Sequence, residues 1–300
     1  MNKQEMLTRV REGNGFIAAL DQSGGSTPKA LAGYGITADQ WTSEDEMFDL
    51  IHQMRCRIIT SPAFNGDKVL GAILFERTMD SKVGRRSVPE VLLEREVVPF
   101  LKVDQGLEDE CDGVQLMKPI RGLNTLLGRA KGLGVFGTKM RSVIKSANRA
   151  GITAIVSQQF EVGQRIAEAG LMPILEPEYD IKATDRAEGE AILRDELLKA
   201  LEALPSSGDV MLKLSIPVEA NFYRGLVHHP RVARVVALSG GYSRQEACEH
   251  LARNDGMIAS FSRALLADLR VTMSDGEFDA ALAEAIDEIQ CASSTAAVDS

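Results

Sequence analysis

A chain of 300 residues that is 44% hydrophobic and free of biased segments suits one large domain or two small ones. Aromatics make up only 5% while glycine occurs 26 times, which favours α/β layers with small-residue turns over an aromatic-rich all-β fold. A net charge of −9 and an isoelectric point near 5.1 argue against nucleic acid or an anionic membrane as a principal partner, because both need a basic face.

The opening segment sets Met6, Leu7 and Val10 on one face of a short helix ended by Gly13 and Gly15. GFIAALD, residues 15–21, is an apolar strand ending in an acid; the loop QSGGST follows, then a short helix with Pro28 in its first turn. Ser43 and Glu46 form a capping box that opens a helix with Met47, Leu50, Ile51 and Met54 on one face. The next stretch, RIITSPAF, extends that helix or makes a short strand of its own. VLGAILFE (69–76) is the second strand, and a capped helix around SVPEVLLER leads to the third, VPFLKVDQG (98–106). A helix ending in glycine precedes the fourth, VFGTKMRSV (135–143), and a long helix from Ile152 to Ile166 precedes the fifth, LMPILEPE (171–178).

The helix AILRDELLKALEAL leads to VMLKLSIP (210–217), the sixth strand; a helical stretch, VEANFYRGLVHH, then leads to RVVALSGG (234–241), the seventh. A capping box at Ser243 and Glu246 opens the next helix, MIASFSR (257–263) is the eighth strand, and the box Ser274 and Glu277 opens a last helix before a polar tail. Eight apolar strands alternating with helices predict a (β/α)8 TIM barrel, one domain over residues 1–300, better than a doubly wound sheet. Cys56, Cys111, Cys248 and Cys291 lie far apart without a CxxC pair, and His228 and His229 are adjacent and cannot share a metal from one helix. No metal is expected. With a charged N-terminal segment and no bilayer-length apolar run, a soluble cytoplasmic protein is expected.

Lys213 interrupts the apolar run of the sixth strand. A buried ammonium costs several kcal/mol unless it is paired or gives up its proton. The bland alternative is a lysine that snorkels to solvent. A desolvated lysine beside another cation yields its proton more readily, and the free amine attacks a ketone to form a Schiff base. Asp21, the pairs Lys102 and Asp104, Lys139 and Arg141, Glu176 and Glu178, Lys213 with Ser215, then Ser239 and Arg263, all fall at or near the C-terminal ends of strands. In a barrel those ends form one rim, so scattered polar insertions become one site. There Lys139 would neighbour Lys213, while Glu176 and Asp21 would move protons. Two anion cradles accompany them: Ser239, Gly240 and Gly241 with Arg263, and the loop at Ser23 to Ser26 with Lys102. GLGVFG, residues 132–137, matches GxGxxG but follows a helix and enters a strand, the reverse of the dinucleotide context.

The strings ALDQSGGS, ILFE, LKVDQG, FGTKMR, PILEPE, MLKLSIP, VVALSGG and ASFSRAL, in this order, resemble the class I fructose-bisphosphate aldolases, particularly their bacterial branch. The resemblance implies Lys213 as the Schiff-base lysine, Glu176 as acid and base at imine formation, Lys139 in support of both, and Asp21 as the base that opens the carbon–carbon bond. It implies one phosphate at Ser239, Gly240, Ser262 and Arg263, and another at Ser23, Ser26 and Lys102, with Arg141 counted among the substrate-binding groups. It implies a phosphorylated sugar as substrate and no cofactor, and leaves oligomeric state open. The chain departs from the animal enzymes in three places: its last tyrosine is Tyr242, Ala30 stands where they have an arginine, and Ser262 where they have glycine. A looser hold on the distal phosphate is therefore expected. The competing expectations are a Schiff-base aldolase for another phosphorylated ketose and a non-catalytic phosphosugar-binding barrel.

Overall fold

The computed structural model of the chain describes residues 1–205 and 208–293. Eight parallel strands neighbour one another in chain order: β1 (Phe16–Leu20), β2 (Val69–Leu74), β3 (Val98–Lys102), β4 (Gly137–Ile144), β5 (Met172–Tyr179), β6 (Val210–Ser215), β7 (Val232–Leu238) and β8 (Ile258–Ala259). The Ala19 amide donates to the Phe261 carbonyl at 3.1 Å and brings the last strand round to the first. The fold is a (β/α)8 barrel, as the apolar runs predict.

Successive side chains on a strand point to opposite faces, and here the two faces form two cores. Phe16, Ala18 and Leu20 face the surrounding helices, whereas Ile17, Ile73, Val98, Phe100, Ile174, Met211, Val236 and Ile258 fill the lumen. Phe100 fits there because both neighbouring strands carry glycine beside it. A Cβ on Gly137 would lie 2.8 Å from the Phe100 ring and 2.3 Å from the Met172 carbonyl oxygen. Burying a side chain of that size contributes roughly 1.5–3 kcal/mol.

Helix α1 (Lys3–Glu12), opened by a capping box of Asn2 and Glu5, plugs the N-terminal mouth with Met6 and Val10. Arg234 on β7 secures it by donating to Arg11 O at 2.6 Å and Gly13 O at 2.9 Å. The outer layer comprises α2 (Ser26–Tyr34), α3 (Glu44–Thr60), α4 (Val88–Glu94), α5 (Leu123–Gly132), α6 (Arg149–Glu168), α7 (Arg186–Glu202), α8 (Arg244–Leu251) and α9 (Asp275–Ala292), with single helical turns between. No helix among the described residues is long and apolar enough to cross a membrane.

Some local expectations are revised. RIITSPAF continues α3 as far as Thr60 and then turns. The box at Ser43 is half made: Ser43 accepts from the Glu46 amide, but Glu46 Oε2 takes the Thr42 amide at 2.6 Å and its hydroxyl at 2.7 Å, a better pair of donors than one amide. VEANFYRGLVHH is turns with one helical turn, Arg224–Val227. Asn221, at φ +62°, breaks it by bonding the loop before β8: its amide meets Asn254 Oδ1 at 2.9 Å, and its Oδ1 takes the Asp255 amide at 2.7 Å. A hairpin of Lys82–Val83 with Arg86–Ser87, and an antiparallel strand Val114–Gln115 beside the end of β4, were not foreseen. The tail ending AAVDS lies outside the described residues.

Candidate active site

Along the lumen each apolar layer gives way, two residues on, to polar groups at the C-terminal mouth. Ala19 is followed by Asp21, Phe100 by Lys102, Ile174 by Glu176, Met211 by Lys213 and Ile258 by Ser260. Lys139 follows Gly137 in the same way and is the hub. Its Nζ lies 2.7 Å from Asp21 Oδ2, 2.9 Å from Glu176 Oε2 and 3.9 Å from Asp104 Oδ2. Lys213 Nζ lies 3.0 Å from Glu176 Oε1, so one carboxylate carries an ammonium on each oxygen. Lys139 meets the buried Oε2 at ion-pair distance, with its N–H poorly aligned on that oxygen. Thus the two lysines are bridged by Glu176 and do not face each other bare.

Lys139 and Glu176 are 3% exposed and Lys213 is 4%, far enough from water for the charges to depend on one another. Breaking such a pair by removing one member typically costs about 3–5 kcal/mol. Burial pushes the Asp21 carboxyl up, but the Lys139, Lys213 and Lys102 ammonium groups outweigh it and hold it well below the ordinary carboxylate range. Glu176 is likewise raised by burial and lowered on balance by Lys139 and Lys213. Burial works against the charge on Lys139, yet Asp21, Glu176 and Asp104 together raise its pKa and keep it protonated. At neutral pH the mouth therefore offers two anionic carboxylates that can accept a proton, around a fixed cation.

Every site residue expected from the sequence except Gly241 and Ser215 lines one cavity of about 1300 Å³. After β7, positive φ angles of +61° at Gly240 and +122° at Gly241 turn the chain beyond Ser239, a conformation that disfavours any side chain. Arg263 lies over this turn, its Nη2 3.5 Å from where a Cβ on Gly241 would stand. In the loop after β1 Ser26 Oγ accepts from the Ser23 amide at 2.9 Å and donates to its carbonyl at 2.8 Å. Lys102 is held on Asp104, meeting Oδ1 at 2.7 Å and the carbonyl at 2.8 Å. Arg141 Nε donates to Glu178 Oε2, and the Arg141 amide donates to Asp104 Oδ2 at 3.2 Å. Both of these cations thus have carboxylate partners. Ser215 is spent on the Tyr179 backbone and takes no part in the cavity wall.

Three residues of the mouth escaped the sequence reading. Ser260, 1% exposed, lines the cavity with a hydroxyl that has no partner among the described residues; strand alternation back from Ser262 points to it. Gln22 also lines the cavity, and behind it Arg55 is wholly buried, burial pulling its guanidinium down to about 10. The signal was a charge on the apolar face of α3, four residues after Ile51. Among the described residues no group of three or more His, Cys, Asp or Glu side chains is placed to hold a metal ion.

Fold and mouth together define a barrel with a lysine-and-carboxylate pocket at the end where such barrels do chemistry. Residues 4–212 match the family described as class-I fructose-bisphosphate aldolase, and the chain belongs to that family of lyases. The match ends one residue before Lys213. A Plasmodium falciparum fructose-bisphosphate aldolase structure superposes with a TM-score of 0.76 at 19% identity, over 97% of this chain and 94% of that one. A Corynebacterium glutamicum protein reaches 0.51 at 15% identity over 97% and 92%, and Leishmania donovani UMP synthase 0.51 at 12% over 96% of this chain and 55% of that one. At these identities the likenesses speak for the fold alone.

Proposed function

We propose that the chain reversibly splits fructose 1,6-bisphosphate into dihydroxyacetone phosphate and glyceraldehyde 3-phosphate through a Schiff base on Lys213. The observation that carries this reading is the run of contacts from Lys213 through Glu176 and Lys139 to Asp21, at 3.0, 2.9 and 2.7 Å. Lys213 passes a proton to Glu176, its amine attacks the ketone carbon, and a proton moves from the new ammonium nitrogen to the alkoxide to give the carbinolamine. Glu176 returns the proton to the carbinolamine hydroxyl, which leaves as water, and an iminium remains. Asp21 takes the proton from the hydroxyl on the fourth carbon. As that oxygen becomes an aldehyde, the bond between the third and fourth carbons breaks and its electron pair moves into the iminium to give an enamine. Protonation of the enamine carbon and hydrolysis of the imine then free the second product and Lys213. Lys139 stays cationic throughout and favours the ionised form of both carboxylates.

Ser239, Gly240, Ser262 and Arg263 would take one phosphate. Ser23 and Ser26 would take the other, once Lys102 and Arg141 exchange their carboxylate partners for it. Family membership supports a phosphorylated ketose; the identity of the sugar is this reading's own commitment. The test is borohydride reduction in the presence of dihydroxyacetone phosphate, followed by mass spectrometry. One substrate mass should appear on Lys213 and vanish in Lys213→Arg, which keeps the charge without a free amine. Label on Lys139, or none in an active preparation, would refute the mechanism. Rates on a panel of ketose bisphosphates would settle the sugar.

A further inference from the structure

The seam between β1 and β8 joins β1 to the shortest of the eight strands, since β8 spans only Ile258–Ala259. Two segments with chemistry meet across it, Asp21 at the end of β1 and Ser262 with Arg263 just after β8. Arg55, at 0% exposure, stands behind the seam. A guanidinium so deep is usually answered by a carboxylate. The hydrogen bonds of Arg55 go to neutral groups, with the Asp21 charge acting on it only through space: Nη2 donates to Gln22 O at 2.5 Å and to Gln22 Oε1 at 3.1 Å, and Nη1 to Thr78 Oγ1 at 2.7 Å. With its oxygen held by Arg55, the Gln22 amide must present its nitrogen the other way. That nitrogen donates to Ala19 O at 3.2 Å and to Ser262 Oγ at 2.6 Å. The chain of bonds therefore runs from a helix in the outer layer, through the residue next to Asp21, to the residue next to Arg263.

We propose that Arg55 is a positioning residue for the bond-breaking step: through Gln22 it ties the β1 loop to the β8 loop and sets the distance between Asp21 and a phosphate held at Ser262 and Arg263. This rests on the Schiff-base reading above. Bond breaking needs the substrate hydroxyl on Asp21 while the phosphate is anchored across the seam. Imine formation uses Lys213, Glu176 and Lys139 and does not need that spacing.

The two steps separate experimentally. In Arg55→Lys, which keeps a cation but cannot reach all three acceptors, kcat for cleavage per folded molecule should fall about 10- to 100-fold, the scale expected of a displacement near 1 Å. The rate of borohydride trapping at saturating dihydroxyacetone phosphate should stay within about twofold of the parent, because the trapping groups are untouched. Gln22→Met, which breaks the next link, should show the same split, and it decides the matter if Arg55→Lys does not fold. Thr78→Val, which frees only Nη1, should lower the melting temperature and leave both rates unchanged. Cleavage and trapping falling together, or neither falling, in Arg55→Lys and Gln22→Met would overturn the proposal. Absence of any trapped imine in the parent protein would instead refute the Schiff-base reading.

Discussion

Glu176 shows how much a single residue carries at this mouth. Its two oxygens stand 2.9 Å and 3.0 Å from two ammonium groups, so a neutral amide there would leave Lys139 and Lys213 facing each other without the anion between them. Glu176→Gln should therefore slow imine trapping about 10²- to 10⁴-fold, the usual contribution of a positioned acid–base group, as read by rapid-quench borohydride assay. Asp21→Asn should do the reverse, leaving trapping within about tenfold while cleavage is lost by a comparable 10²- to 10⁴-fold factor. Equal losses in both variants would mean that the two carboxylates do not divide the steps. The burial of Lys213 was legible in the sequence, because the apolar strand around it leaves little room for a solvated lysine. The lysine's partnership with Glu176 came only through the family resemblance, since the contact depends on how far β5 and β6 are staggered, and no run of residues encodes the stagger locally.

At the scale of elements, the strands were legible because a lumen-facing and a helix-facing side chain are both apolar, giving continuous runs. The failures lie where tertiary bonds outcompete local preference. VEANFYRGLVHH has helix-forming residues, but Asn221 is more useful to the Asp255 loop than to a helix. Gly137 illustrates a requirement that spacing alone conceals, because its reason is the Phe100 ring on the neighbouring strand. Gly137→Ala would press a methyl against a carbonyl oxygen at 2.3 Å, and backbone cannot swing aside as a side chain can. Overpacking of this kind typically costs about 1–3 kcal/mol, so the urea midpoint should drop accordingly. Gly128 in α5 has nothing within 4 Å, and Gly128→Ala should instead raise stability by roughly 0.5–1 kcal/mol. A Gly137→Ala protein as stable as its parent would mean that the barrel accommodates the methyl at no cost.

For the molecule as a whole, the buried charges couple stability to pH at both ends of the scale. Asp21 and Glu176 titrate in the folded state below their unfolded values of 3.8 and 4.5. Their stabilisation is present above those values and lost as pH falls through the folded ones, where the unfolded chain binds more protons. Lys139 titrates above its unfolded value of 10.5, so its share is complete below 10.5 and is lost as pH rises through the higher folded value. Urea melts taken from pH 6 down to pH 3 should therefore fall less steeply for Lys139→Met than for the parent, because both carboxylates lose a cation that lowers them. An identical slope would show that the cluster does not govern acid stability. The plug at the opposite mouth has a consequence in time. Helix α1 leaves the ribosome well before Arg234, which holds its end and lies 223 residues after Arg11. At about 5–20 residues per second, Met6 and Val10 wait roughly 10 to 45 seconds of synthesis for their cover, exposed to whatever else in the cell binds nascent apolar segments.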